Sequence, residues 1–169
     1  MFSDCTSLIN APELPATRLA NYCYYYMFSD CTSLTAAPSL PATTLTNYCY
    51  SYMFNGCTSL TAAPSLLPAK TLQYGCYNGM FYKCSTLTTA PSLPATTLTD
   101  YCYSYMFNGC TSLNYIKAMF LTITSNTTTN NWVSGVSSTG TFVKNSAATW
   151  NVTGPSGVPS GWTVQTASS

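Results

Sequence analysis

Apolar residues follow two different spacings along the chain, and the two spacings alternate. From Cys31 to Leu40 they recur at every third position, at Cys31, Leu34, Ala37 and Leu40, with Pro38 and Pro41 set among them. Two prolines so close together forbid a helix interior, so this segment predicts a short strand over Leu34 to Ala37. After Pro41 the apolar and aromatic residues are Leu45, Tyr48, Cys49, Tyr52 and Met53. That is the i, i+3, i+4, i+7, i+8 stripe of a helix buried on one face, and it predicts a helix from about Ala42 to Phe54. Pro41 stands at its start, where a missing N–H costs nothing. Asn55-Gly56, and likewise Asn108-Gly109, stands at its end, where a left-handed residue can close it.

The same two spacings return because the sequence repeats. The phrase Met1-Phe2-Ser3-Asp4-Cys5-Thr6-Ser7-Leu8 restarts at Met27, Met53, Met80 and Met106, with periods of 26, 26, 27 and 26 residues. One such unit buries too few large side chains, at roughly 1.5 to 3 kcal/mol each, to offset roughly 1 to 2 kcal/mol per ordered backbone residue. Copies must therefore stack. Strand, loop, helix and turn in about 26 residues predict an α/β fold, a leucine-rich-repeat solenoid over residues 1–121. A small β-rich extension follows over residues 122–169. Met1 lies in register with the internal Met residues, so it reads equally as a true start or as a cut in a longer array.

The phrase Met53-Phe54-Asn55-Gly56-Cys57-Thr58-Ser59-Leu60, followed by Pro64 and Pro68, resembles the BspA-like leucine-rich repeats of surface proteins, bacterial or phage-encoded. The resemblance covers residues 1–121. The chain departs from that family in placing Ala where a larger aliphatic is usual in the strand, which implies a narrow, closely stacked strand layer. The resemblance implies a cell-surface or virion-surface array with an adhesive or structural task.

Positions that hardly change between copies hold Phe, Cys, Leu, Ala and Pro and read as shared core. Positions that do change carry the functional expectation. One column holds Ile9, Thr35, Thr61, Thr88 and Asn114, and the next holds Asn10, Ala36, Ala62, Thr89 and Tyr115. Flanking the buried strand positions, these columns supply the candidate ligand-binding residues Thr35, Thr61, Thr88, Asn114 and Tyr115. Around the helix, Tyr52, Tyr82 and Tyr105 offer broad contact area with few rotatable bonds and complete the candidate set. The third copy differs from the others in its extra residue at Leu66-Leu67, in Gly75, and in Asn78-Gly79. A kink or bulge is expected there.

Composition narrows the chemistry. Only 5% of residues are charged and the net charge is +1, which leaves no field to steer nucleic acid or an anionic membrane. No apolar run approaches the roughly 18 residues of a membrane span, and no export signal is visible. Histidine is absent and Asp plus Glu number four, so most routes to general acid or base catalysis are closed and no catalytic residue is assigned. Asp4 and Asp30 are equivalent positions one repeat apart and read as solvated turn residues, so no metal or other cofactor is expected. The nine cysteines fall into two columns, Cys5, Cys31, Cys57, Cys84, Cys110 and Cys23, Cys49, Cys76, Cys102, with no Cys-x-x-Cys. They read as a ladder of buried thiols rather than a zinc site or a disulfide framework.

After Leu113 the pattern fails. Lys117 replaces the strand proline, residues 125–131 are rich in Thr and Asn, and short strand signals then accompany Trp132, Trp150 and Trp162. The closing segment resembles termini of repeat proteins of gut bacteria and their phages. Together these readings predict a non-catalytic extracellular recognition or adhesion module, on a cell or virion surface, whose partner is a protein or glycan on a host or bacterial surface. The alternative is a structural subunit or spacer that self-associates or docks into a larger assembly through its repeat ends or its Trp-rich tail. Neither reading involves nucleic acid or membrane insertion.

Overall fold

The computed structural model describes residues 1–167. Among them there is no helix. There are three short strands, β1 (Tyr115–Ala118), β2 (Thr141–Asn145) and β3 (Thr163–Ala167), paired in parallel in the order β1-β2-β3. The expected α/β leucine-rich-repeat solenoid of strand-loop-helix units is thereby overturned, since its helical layer does not exist and its repeated strands are nearly all missing.

Where helices were expected, the chain forms ten-residue ribbons of successive turns at 21–30, 47–56, 74–83 and 100–109, and a fifth ribbon runs over 126–135, in the Thr- and Asn-rich segment where none was expected. The backbone hydrogen bonds explain why. In the first ribbon Cys23, Tyr25, Met27 and Ser29 donate their N–H three residues back along the same copy, to Ala20, Tyr22, Tyr24 and Tyr26. The residues between them donate outward: Tyr22 to Asn47, Tyr24 to Cys49, Tyr26 to Ser51, Phe28 to Met53 and Asp30 to Asn55, at 2.7–3.1 Å. An α-helix would turn every N–H along its own axis and leave none for a neighbour. Here alternate amides bind the next copy instead, and each such bond is worth about 0.5–1.5 kcal/mol net.

The alternation requires a left-handed residue at every fourth position. Tyr22, Tyr26 and Asp30 have positive φ, as do Tyr48, Tyr52 and Gly56 in the second ribbon and Tyr101, Tyr105 and Gly109 in the fourth. A period of 4 lies close enough to 3.6 that both structures place residues i, i+4 and i+8 on one face. That near coincidence made the ribbon resemble a helix in the sequence.

The expected strand over Leu34 to Ala37 shrinks to single parallel bridges, Asn10 to Ala36 and Ala36 to Ala62. Pro38, Pro64 and Pro91 follow in the same column, and each lacks the N–H that would carry the pairing onward. Where that column passes to Lys117 and Val143, full strands appear and pair Lys117 with Val143. The pairing runs past residue 121 without a break. Phe107 donates to Trp132, Gly109 to Ser134 and Thr141 to Asn114 at 2.8 Å each.

Buried side chains form one continuous core built from repeated columns. The rings of Phe28, Phe54, Phe81 and Phe107 stack at 5.5–5.7 Å along the array. Beside them runs a second column of Tyr24, Tyr50, Tyr77 and Tyr103 at 5.6–6.1 Å. Trp132, Trp150 and Trp162 are buried in the same core, and their indole N–H groups donate to Gly157, Phe120 and Ser137. The three indoles thus pack within their own chain.

Candidate functional site

The bridge residues expose one side of each copy to solvent. Thr35, Thr61, Thr88 and Asn114 are all exposed there, as are Ala36, Ala62, Thr89 and Tyr115. The column is held in register by the backbone: Thr35 donates to Ile9, Thr61 to Thr35 and Asn114 to Thr88. The Thr61 hydroxyl also donates to the Thr35 carbonyl, at 3.2 Å.

Three of the five strand-face candidates meet in a single groove of about 410 Å³. Thr61, Thr88 and Tyr115 line it together with Thr89, Ser92 and Lys117. Pro64 and Ala90 are also in the lining. Thr35 and Asn114 lie outside it, one on the preceding copy and one beside Tyr115. The remaining candidates, Tyr52, Tyr82 and Tyr105, belong to the ribbons and form a separate aromatic surface. Tyr52 and Tyr82 meet edge-on at 6.2 Å, and the Tyr105 hydroxyl accepts from Asn130 at 3.1 Å.

Lys117, Ser65 and Ser92, with Ala63, Pro64 and Ala90, are groove residues that variability between columns did not single out. A signal for Lys117 was present, because it is the first residue to replace proline in its column. Ser92 gave none, since its column holds Ser39, Ser65 and Ser92 and looks structural.

All nine cysteines are free, seven buried and two, Cys5 and Cys23, exposed. In one column each thiol donates to the Phe carbonyl of the copy before it: Cys31 to Phe2, Cys57 to Phe28, Cys84 to Phe54 and Cys110 to Phe81, at 3.0–3.1 Å. Burial pushes the Cys57 and Cys110 thiols up to about 12 and Cys49 up to about 11, and it raises Cys76 and Cys84 well above the usual range. Such thiols stay protonated and poorly nucleophilic at neutral pH.

Asp30 is engaged locally, accepting from the Ser29 hydroxyl at 2.8 Å and from the Asn55 amide at 3.4 Å. Among the described residues no cluster of three His, Cys, Asp or Glu side chains could hold a metal ion, and no helix is long and apolar enough to cross a membrane. The third copy keeps the course of the ribbon. Gly75 and Gly79 take the left-handed positions held by tyrosine elsewhere, and the rings of Tyr48 and Tyr52 lie where their side chains would begin. Leu66, beside the extra residue, is exposed.

No family model, no curated protein and no solved structure matches the chain. The likeness of its repeated phrase to BspA-like repeats rests on the residues alone.

Proposed function

We propose that the protein is a non-catalytic recognition module, displayed on a cell or virion surface, that binds a protein or glycan through its strand-face groove. The observation that carries this reading is the convergence of Thr61, Thr88 and Tyr115 with Lys117 in one groove of about 410 Å³. That volume falls in the usual range of ligand sites, about 300–1,000 Å³. The lining is largely apolar, with Ala62, Ala63, Pro64 and Ala90, and sets threonine and serine hydroxyls, one aromatic ring and a single cation among them, which suits a neutral ligand carrying both apolar and hydroxyl groups. Lys117 and Tyr115 are its only ionisable side chains, which favours binding over acid-base chemistry. Packing of the Trp side chains inside the chain leaves the structural-subunit alternative to rest on the repeat ends.

The test is a triple variant, Thr61→Arg, Thr88→Arg and Tyr115→Glu, presented beside the unaltered chain to arrayed glycans and to intact bacterial cells. These positions are exposed, so the fold should survive and thermal melting should be unchanged. Loss of binding with an unchanged melt supports the groove. Equal binding by the variant rules the groove out as the site.

A further inference from the structure

The outer face of the ribbons carries a second arrangement, independent of the groove. The second and sixth positions of the first four ribbons are left-handed and hold Tyr22 and Tyr26, Tyr48 and Tyr52, Gly75 and Gly79, then Tyr101 and Tyr105. A bulky residue in that conformation costs about 1–2 kcal/mol. Gly75 and Gly79 show that the same backbone runs with glycine, so the tyrosines are placed against the backbone's own preference. Strain of this kind invites a functional reading.

Between the first two ribbons these rings lie flat against each other. Tyr22 stacks on Tyr48 at 5.0 Å and 13°, and Tyr26 stacks on Tyr52 at 5.0 Å and 8°. Both pairs are closer than the parallel tyrosines inside the core, which sit at 5.6–6.1 Å. Tyr22 is 54% exposed and Tyr26, Tyr48 and Tyr52 are half-buried, whereas Tyr50, Tyr77 and Tyr103 are buried. Beyond the second ribbon the stacking stops: Tyr74 and Tyr82 meet Tyr48 and Tyr52 edge-on, at 70° and 63°.

We propose that Tyr22 with Tyr48, and Tyr26 with Tyr52, form a site of oxidative cross-linking, at which a haem peroxidase using hydrogen peroxide joins the rings as dityrosine and ties the first copy to the second. Each phenol loses one electron and its hydroxyl proton to become a phenoxyl radical. Spin then spreads to the ring carbons beside the oxygen, in orbitals perpendicular to the ring. Face-to-face rings turn those orbitals toward each other, and edge-on rings do not. The two radicals pair in a new Cε–Cε bond. Each bonded carbon releases its hydrogen as a proton and each oxygen takes one back, which restores both aromatic rings. Peroxide accepts the two electrons and two protons and leaves as two waters.

The experiment uses the full chain with Cys5→Ser and Cys23→Ser, so that exposed thiols do not consume the oxidant. Dilute protein is treated with a haem peroxidase and hydrogen peroxide, the monomer is isolated, and cross-linked peptides are mapped by mass. The monomer should carry dityrosine fluorescence, lose two hydrogen masses per link, and yield peptides joining 22 to 48 or 26 to 52. Tyr48→Phe with Tyr52→Phe keeps the rings and should abolish the signal, while Tyr74→Phe with Tyr82→Phe should leave it intact. Dityrosine found only in dimers, links mapping to Tyr74, undiminished signal in the Tyr48 and Tyr52 variant, or no dityrosine in the unaltered tyrosine face would each overturn the proposal.

Discussion

The thiol of Cys57 donates to the main-chain carbonyl of Phe28, 29 residues earlier, at 3.1 Å. The same carbonyl accepts the N–H of Cys31 within its own copy, at 3.2 Å. One oxygen thus closes a turn in one copy and holds the next copy against it. Cysteine suits this position because it is small, apolar and a weak donor, so it fills the core and adds a bond without demanding a second partner.

Thiol accessibility should follow this arrangement. In native protein at pH 8, a thiol-reactive disulfide reagent should label Cys5 rapidly, Cys23 more slowly because partial burial raises its thiol pKa, and leave the seven buried cysteines untouched. All nine should react once denaturant unfolds the chain. Rapid native labelling of Cys57 or Cys84 would mean that the copies are not packed as described.

Stability should fall on the alkaline side. Below the usual thiol value of 9.0, folded and unfolded chains hold the same thiol protons. Above it the unfolded chain releases protons that burial makes the folded chain keep, up to about 11 for Cys49 and about 12 for Cys57, Cys102 and Cys110. The folded state then binds more protons, so each rise in pH favours unfolding. Urea midpoints should decline steadily from about pH 9 to about pH 12. A midpoint that stays level across that window would contradict the buried thiol ladder.

Two glycines separate backbone strain from steric overlap. Gly154 has φ +94° with nothing near a would-be side chain, whereas at Gly79, with φ +58°, a Cβ would overlap the Tyr52 ring. Gly154→Ala should cost about 1 kcal/mol from strain alone, and Gly79→Ala about 2 kcal/mol or more. Denaturant titration of the two variants gives the order directly, and equal costs would show that the Tyr52 ring does not rest on Gly79.

The repeat and its length could be read from Met27, Met53, Met80 and Met106, and so could the buried Phe, Leu and Cys columns. What the residues could not distinguish is a helix from a ribbon, because Tyr48, Tyr52 and Gly56 share a face at a period of 4 as readily as at 3.6. The decisive property is the direction of alternate N–H groups, which leaves no mark on side-chain type except an unexpected tyrosine where glycine would do. The failure of the strands was legible in Pro38, Pro64 and Pro91, and their return was legible in Lys117. Column variability singled out Thr61, Thr88 and Tyr115, and the fold brings these three to one groove. Nothing in the column itself separates them from Thr35 and Asn114, which lie outside the groove.

Alternate amides of each ribbon bind the next copy instead of turning back along a helix. Scalar coupling across hydrogen bonds, measured by NMR on isotope-labelled protein, tests it at one amide. The nitrogen of Phe54 should couple to the carbonyl carbon of Met80, whose oxygen it meets at 2.9 Å. Coupling instead to the carbonyl of Tyr50, four residues back, would be the signature of an α-helix and would contradict the account.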